Sequence, residues 1–157
     1  MMYRLLTLGP PTIAMECMMK INPYLMFNGQ CAEAFRFYAD VLGGTIVTMM
    51  THRDSPMADQ TPPDWQDAVM HASLSLDGGQ MLMASDEPPG ETARTTGGGY
   101  YVSLHIDEPA EAERVFGALA EGGTVRLPIQ QTFWATRFGM LVDRFGTPWM
   151  INCAPES

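Results

Sequence analysis

Ala32-Glu33-Ala34-Phe35-Arg36-Phe37-Tyr38-Ala39-Asp40-Val41-Leu42-Gly43-Gly44-Thr45-Ile46 returns later in the chain as Ala110-Glu111-Ala112-Glu113-Arg114-Val115-Phe116-Gly117-Ala118-Leu119-Ala120-Glu121-Gly122-Gly123-Thr124-Val125. Ala, Glu, Ala and Arg hold matching places, and both copies close on Gly-Gly-Thr and a β-branched residue. The second copy is one residue longer before its glycines. An internal repeat decides architecture before local propensity does, and this one implies two similar halves. In the first copy Ala34, Phe35, Tyr38, Val41 and Leu42 share one helical face, with Glu33, Arg36 and Asp40 opposite. Gly43 stands where a helix-terminating glycine belongs.

Working outward, Ile21 to Phe27 reads as a strand, and Asn28 as the N-cap of a helix from Gln30 to Leu42. Thr45 to Thr51 is a β-branched strand. A Pro/Asp-rich loop, His52 to Trp65, is long for a compact domain; His52 there reads as solvated and Trp65 as the loop's anchor. Ala68 to Leu76 and Gln80 to Ser85 pair as a hairpin around Asp77-Gly78-Gly79. Residues 88–98 form a Pro- and Gly-rich linker, and then the order repeats. Tyr100 to Ile106 is a strand, Asp107 or Glu108 caps a helix with Pro109 in its first turn, and Ala112, Val115, Phe116 and Leu119 form its buried face. Val125 to Ile129, Thr136 to Val142 and Pro148 to Cys153 are the remaining strands, the last two joined at Phe145-Gly146. The expected class is α+β: tandem βαβββ modules, about 19–87 and 99–157, whose two four-stranded mixed sheets form a curved cleft with the helices outside. Residues 1–18 read as an N-terminal extension, because Gly9-Pro10-Pro11 breaks the apolar run begun at Leu5 too early for a signal peptide.

The chain has 157 residues, 46% of them hydrophobic and 17% charged, which fits one globular domain with a real core. Nine basic residues against eighteen acidic give a net charge of -9, and no basic run exists. Nucleic acid and anionic membrane surfaces are therefore disfavoured as partners. Three scattered cysteines, Cys17, Cys31 and Cys153, fit a reducing cytoplasm rather than a disulfide framework. Fourteen methionines are read mainly as core filler, and some as a soft, adaptable cavity wall.

Strand parity then sorts side chains into a helix-facing and an open set. Tyr100, Val102, Leu104 and Ile106 fall to the helix side, while Tyr101, Ser103 and His105 fall to the open side. Ala68, Met70, Ala72, Leu74 and Leu76 fall to the helix side, while Val69, His71, Ser73 and Ser75 fall to the open side. On the last strand Trp149 and Ile151 read as buried, Met150 and Asn152 as open. The expected small-molecule wall is His71, Ser73 and Met83 from the first half with Tyr101, His105, Met140, Met150 and Asn152 from the second. Trp134 is weighed as a stacking wall against a packing residue, and Arg137 as an anion clamp at the cleft mouth against an ordinary surface arginine.

The two modules, Phe37-Tyr38 before Val41-Leu42-Gly43, and the turn at Asp143-Arg144-Phe145-Gly146 resemble the vicinal oxygen chelate superfamily of glyoxalases, extradiol dioxygenases and bleomycin-resistance proteins. Ile21-Asn22-Pro23-Tyr24-Leu25, His71 with Ser85-Asp86, and Phe133-Trp134 through Trp149-Met150-Ile151-Asn152 are similar to its PhnB-like branch. The resemblance implies a homodimer. It also implies that a metalloenzyme of this kind carries His on the first strand and Glu on the last strand of each module. Counting places those positions at Pro23, Tyr101, Met83 and Met150, none of which suits a hard cation. No cofactor and no metal are therefore expected. A displaced site would have to use His71, His105 and Asp86, and Asp86 reads instead as a cap of the turn into Glu87-Pro88. Two readings result: a metal-free binder of a small apolar or aromatic molecule, or an enzyme with His71 or His105 as general base.

Overall fold

The computed structural model describes residues 19–87 and 99–155, so the expected N-terminal extension, with Cys17, and the 88–98 linker lie outside the described residues. Module 1 runs β1 (Tyr24–Phe27), α1 (Cys31–Leu42), β2 (Thr45–Thr51), β3 (Val69–Leu76) and β4 (Gln80–Asp86). Module 2 runs β5 (Val102–His105), α2 (Pro109–Ala120), β6 (Thr124–Gln130), β7 (Arg137–Val142) and β8 (Pro148–Cys153). Each makes a four-stranded sheet, in the orders β1-β4-β3-β2 and β5-β8-β7-β6. The first pair in each sheet is parallel and the other two are antiparallel. The βαβββ repeat read from sequence is therefore the architecture.

The repeated Gly-Gly-Thr has a separate reason at each glycine. Gly43 and Gly122 take left-handed backbone, φ 70° and 72°, a region that favours residues without a Cβ. Their successors sit where no side chain fits: a Cβ on Gly44 would lie 2.9 Å from the Ser75 carbonyl oxygen, and one on Gly123 2.3 Å from that of Val142. The first glycine turns the chain out of the helix, and the second lets the new strand close onto its neighbour.

One helix start differs from expectation, and so does the role of Asp86. Asn28 is not the cap of α1: the helix begins at Cys31 with Gln30 as N-cap, and no side chain of its own flank serves it. Asp86, at the end of β4, accepts the Cys31 N–H (3.0 Å) and the Val69 N–H (2.8 Å) while itself 5% exposed. It is a cap supplied across the fold, and not of the turn after it. β1 and β5 are also shorter than expected. Pro23 has no N–H to give a strand, and Tyr100, 52% exposed, lies before β5 and does not reach the helix.

Both helices pack on their sheets to make one continuous core, in which Phe35, Tyr38, Leu74, Leu119, Leu141, Trp149 and Ile151 are essentially inaccessible. The modules are tied through it by polar links as well. Asp143, buried after β7, accepts from Tyr38 Oη (2.5 Å), Trp149 Nε1 (2.8 Å), and the backbone N–H groups of Phe145 (2.9 Å) and Thr147 (3.0 Å). Arg114 of α2 donates to the Val41 carbonyl of α1 (2.8 Å), and the Arg144 guanidinium lies 4.1 Å from the Phe37 ring centroid.

Candidate functional site

The registers settle which side chains share the sheet faces turned away from the helices. In module 1, Tyr24 stands beside Met83, Met83 beside Ser73, and Ser73 beside Thr48. His71 stands beside Met50. Met26 and Ser85 form the next rung, joined by Ser85 Oγ donating to Met26 Sδ at 3.3 Å. Alternate residues Leu25, Phe27, Ala72, Leu74, Leu82 and Ala84 are in the core. Val69 departs from simple parity. Between Met50↔His71 and Thr51↔Val69 the β3 strand carries one extra residue, and this bulge returns Val69 to the core at 2% exposure.

Module 2 repeats the arrangement: Ser103 stands beside Met150, Met150 beside Met140, and Met140 beside Leu127. His105 and Phe138 flank Asn152. Trp134 meets Phe138 edge-on, with centroids 5.4 Å apart, and Phe133 likewise at 4.6 Å, so an aromatic ledge projects from this face. Tyr101 lies just before β5 and is partly buried.

Of the expected wall, His71, Ser73 and Met83 are thus neighbours on one sheet, and His105, Met140, Met150 and Asn152 on the other. Arg137 is not with them. It pairs with Cys153 in the register of Gly139 and Leu141, the helix-facing set, and its Nε donates to Glu113 of α2 at 2.6 Å. A side chain held there by a carboxylate is no clamp for an anion on the opposite face. Tyr24, Phe138 and Met50 were missed from the wall; alternation back from Leu25 and from Met140 was the signal for the first two.

The two histidines have different company. His71 Nδ1 lies 3.1 Å from the Tyr24 hydroxyl, with the rings stacked at 5.9 Å. His105 has looser contacts, Nε2 to Ser103 Oγ at 3.4 Å and Nδ1 to Asn152 Nδ2 at 3.3 Å.

The registers also correct the count of metal positions. The open-face neighbour of Met83 is Tyr24, not Pro23, and that of Met150 is Ser103, not Tyr101. Two thioethers, a phenol and a hydroxyl do not make a site for a hard divalent cation. Among the described residues no three His, Cys, Asp or Glu side chains gather where they could hold a metal ion. Asp86 is spent on the α1 and β3 backbone, away from both histidines. A cavity of about 490 Å³ opens elsewhere, between Gln80–Leu82 and Val102–Leu104, and none of the expected wall residues lines it.

The paired βαβββ sheets define a glyoxalase-like protein, and known structures agree. A glyoxylase/bleomycin resistance protein/dioxygenase domain from Frankia sp. superposes with TM-score 0.59 at 14% identity over 88% of this chain and 99% of its own, a likeness of fold alone. The family model described as 3-demethylubiquinone-9 3-methyltransferase matches residues 19–152, and the chain belongs to that PhnB-like family. Protein PA1353 from Pseudomonas aeruginosa is 49% identical with TM-score 0.79, covering 88% of this chain and 100% of its own. The PhnB protein from Bacillus cereus is 27% identical with TM-score 0.73, covering 87% and 100%. Protein YjdN of Escherichia coli is 32% identical, covering 88% of this chain and 97% of that protein. No described helix is long and apolar enough to cross a membrane.

Proposed function

We propose that the open faces of the two sheets together form a cleft that binds a small apolar or aromatic molecule without a metal. The observation that carries this is the donor set: Tyr24, Met83, Ser103 and Met150 stand where a metalloenzyme of this fold would place its ligands. Methionine is soft and adaptable, and it favours contact with aromatic rings. A methionine wall with Trp134 and Phe138 at one side and His71, Ser73 and Asn152 as polar points has the composition of a small-molecule site. The family resemblance supports a homodimer, and the cysteine usage a cytoplasmic location.

The family name specifies methyl transfer. A methyl-donor cradle wants a glycine-rich turn between strand and helix on a parallel sheet. Here the β1–α1 turn carries Gly29 alone, and the β5–α2 turn is the acidic Asp107-Glu108. A second reading has one observation in its favour: the Tyr24–His71 pair orients an imidazole on the open face, as a general base requires.

The test is elemental mass spectrometry of untagged protein purified without chelator, with a thermal-shift screen of aromatic compounds. The expected result is no stoichiometric metal, and a ligand that at about 100-fold excess over its Kd stabilises by ~2.7 kcal/mol. That stabilisation should disappear in Met83→Glu or Met150→Glu. One metal per chain refutes the reading. Turnover that is lost in His71→Ala replaces it with the second.

A further inference from the structure

β1 is shorter than the strand it pairs with, four residues against seven in β4. Their register starts at Tyr24↔Met83, so Gln80, Met81 and Leu82 run on past the beginning of β1. Pro23 still offers its carbonyl to the Met83 N–H at 3.0 Å, but residues 20–22 carry no strand pairing. Extending the parallel register sets 20–22 abreast of 79–81. Across this gap lies β5, the edge strand of the other sheet. No described residue covers the helix-side layer there, and the 490 Å³ cavity occupies the space. Leu42, Leu82, Leu104 and Trp149 line it, side chains of both modules.

The chemistry of the lining is selective. Its polar side chains are Lys20, Asn22 and Gln80; Ser103, whose side chain belongs to the open face, borders it. No Asp or Glu lines it, in a chain with eighteen acidic residues against nine basic. Lys20 is exposed and forms no ion pair with any described residue. The volume falls inside the ~300–1,000 Å³ typical of small-molecule sites. One unpaired ammonium matches one carboxylate, and a second negative charge would meet no cation. Asn22 and Gln80 add neutral donors at the same gap, and the helix-side side chains beyond them, Leu42, Leu76, Leu82, Val102, Leu104 and Trp149, are hydrocarbon or indole.

We propose that this inter-module pocket is a second binding site, separate from the open faces, for a monocarboxylate with an elongated apolar body, of the kind of a medium-chain fatty acid. The carboxylate sits at Lys20, Asn22 and Gln80, and the chain runs over Leu42, Leu82 and Leu104 toward Trp149.

The three tryptophans, Trp65, Trp134 and Trp149, make a test that locates the ligand. Trp65 Nε1 has no hydrogen-bond partner and Trp134 is half exposed, so the double variant W65F/W134F keeps the fold's polar contacts and leaves Trp149 as the sole indole. Bromine quenches indole only at close range, and 10-bromodecanoate is the probe. The expected result is saturable quenching of Trp149 in the double variant, much weaker quenching by 10-bromodecan-1-ol, and binding about three- to tenfold weaker in Lys20→Glu. Absence of Trp149 quenching overturns the site. Quenching in the wild type that vanishes in the double variant does the same, because it places the ligand beside Trp134 or Trp65. Equal quenching by the alcohol, or equal affinity in Lys20→Glu, overturns the carboxylate assignment. The proposal stands or falls independently of the metal content and of the Met83 and Met150 variants.

Discussion

Tyr38→Phe removes a single oxygen from the centre of the inter-module core, and its cost can be worked from the contacts. A phenol has one proton. At 2.5 Å from Asp143 Oδ2 that proton goes to the carboxylate, so Thr147 Oγ1, 2.9 Å away, is the donor of the second bond. Phenylalanine breaks both. Tyr38 is inaccessible and Asp143 4% exposed, so water does not replace the missing oxygen. Asp143 Oδ2 keeps only Trp149 Nε1, and the Thr147 hydroxyl loses its acceptor. A hydrogen bond to a charged group contributes ~1.5–3 kcal/mol, and the orphaned hydroxyl adds to that end of the range. The ring itself stays, with its edge contacts to Trp149 and Phe145, so no cavity term enters. The expected loss is ~2–3 kcal/mol, a fall in Tm of ~4–12 °C at ~2–4 °C per kcal/mol for a chain of this size. Urea unfolding should move in midpoint with an unchanged slope. The pH dependence supplies a second readout. Burial first, and the neighbouring Asp143 carboxylate second, push the Tyr38 phenol well above its ordinary 10.0. Above that value the unfolded phenol loses its proton while the folded one keeps it, so the wild type loses up to ~1.4 kcal/mol per pH unit. Phenylalanine has no such term, and the gap between the two proteins should narrow as pH rises beyond 10. A variant with wild-type Tm and an identical alkaline limb would refute the network's role.

Gly123→Ala should be among the most destabilising single changes, at several kcal/mol or failure to fold, because its Cβ would meet backbone atoms at 2.3 and 2.9 Å that cannot rotate away; normal yield and midpoint in urea would contradict the close-approach argument. Gly117→Ala, with nothing within 4 Å on an exposed helical face, is the control and should be neutral or mildly stabilising. Cys31 is inaccessible and its thiol is pushed up to about 12, by burial and then by Asp86. In a Cys17→Ser background at pH 8, Ellman's reagent should find no thiol in the native protein and both Cys31 and Cys153 in denaturant; rapid native labelling would refute the burial.

What was legible in the sequence followed from the repeat. Glycine pairs, helical periodicity and alternation along β3, β5 and β8 are local signals, and the elements they imply are the ones present. Three features depended on partners distant in sequence. Asp86 serves a helix that starts 55 residues earlier, so local capping rules pointed to Asn28 and to the turn after Asp86 itself. The bulge beside Val69 exists only against β2, and no alternation rule applied to β3 alone contains it. Arg137 was the same kind of miss. Its strand parity put it on the helix side, but the aromatic Phe133-Trp134 before it drew attention to the other face. Of the candidate site, what was legible is which side chains share the open faces. The cavity was not, because it lies where β1 ends early, and strand ends are the least determined feature of a sequence.

The repeat is also broken at one place, and the break connects the buried network to the cavity. In the aligned helices Tyr38 of α1 corresponds to Phe116 of α2. Tyr38 sends its hydroxyl into the carboxylate that follows β7, whereas Phe116 has no hydroxyl to send toward the carboxylate that follows β3. The consequences are opposite. Asp143 is buried and gathers its turn, Phe145 to Thr147, around four donated hydrogen bonds. Asp77 is exposed at a turn of two left-handed glycines, Gly78 and Gly79, and both of those glycines line the cavity. One end of the module interface is therefore closed by a polar clamp, and at its pseudo-symmetric counterpart the space stays open. Trp149 touches both, with its indole nitrogen on Asp143 and its side chain in the cavity lining. A ligand in the cavity would thus press on the residue that holds the clamp, and the fatty-acid probe should raise the Tm of the wild type more than that of Tyr38→Phe. Equal stabilisation of the two proteins would separate cavity from clamp and remove the link.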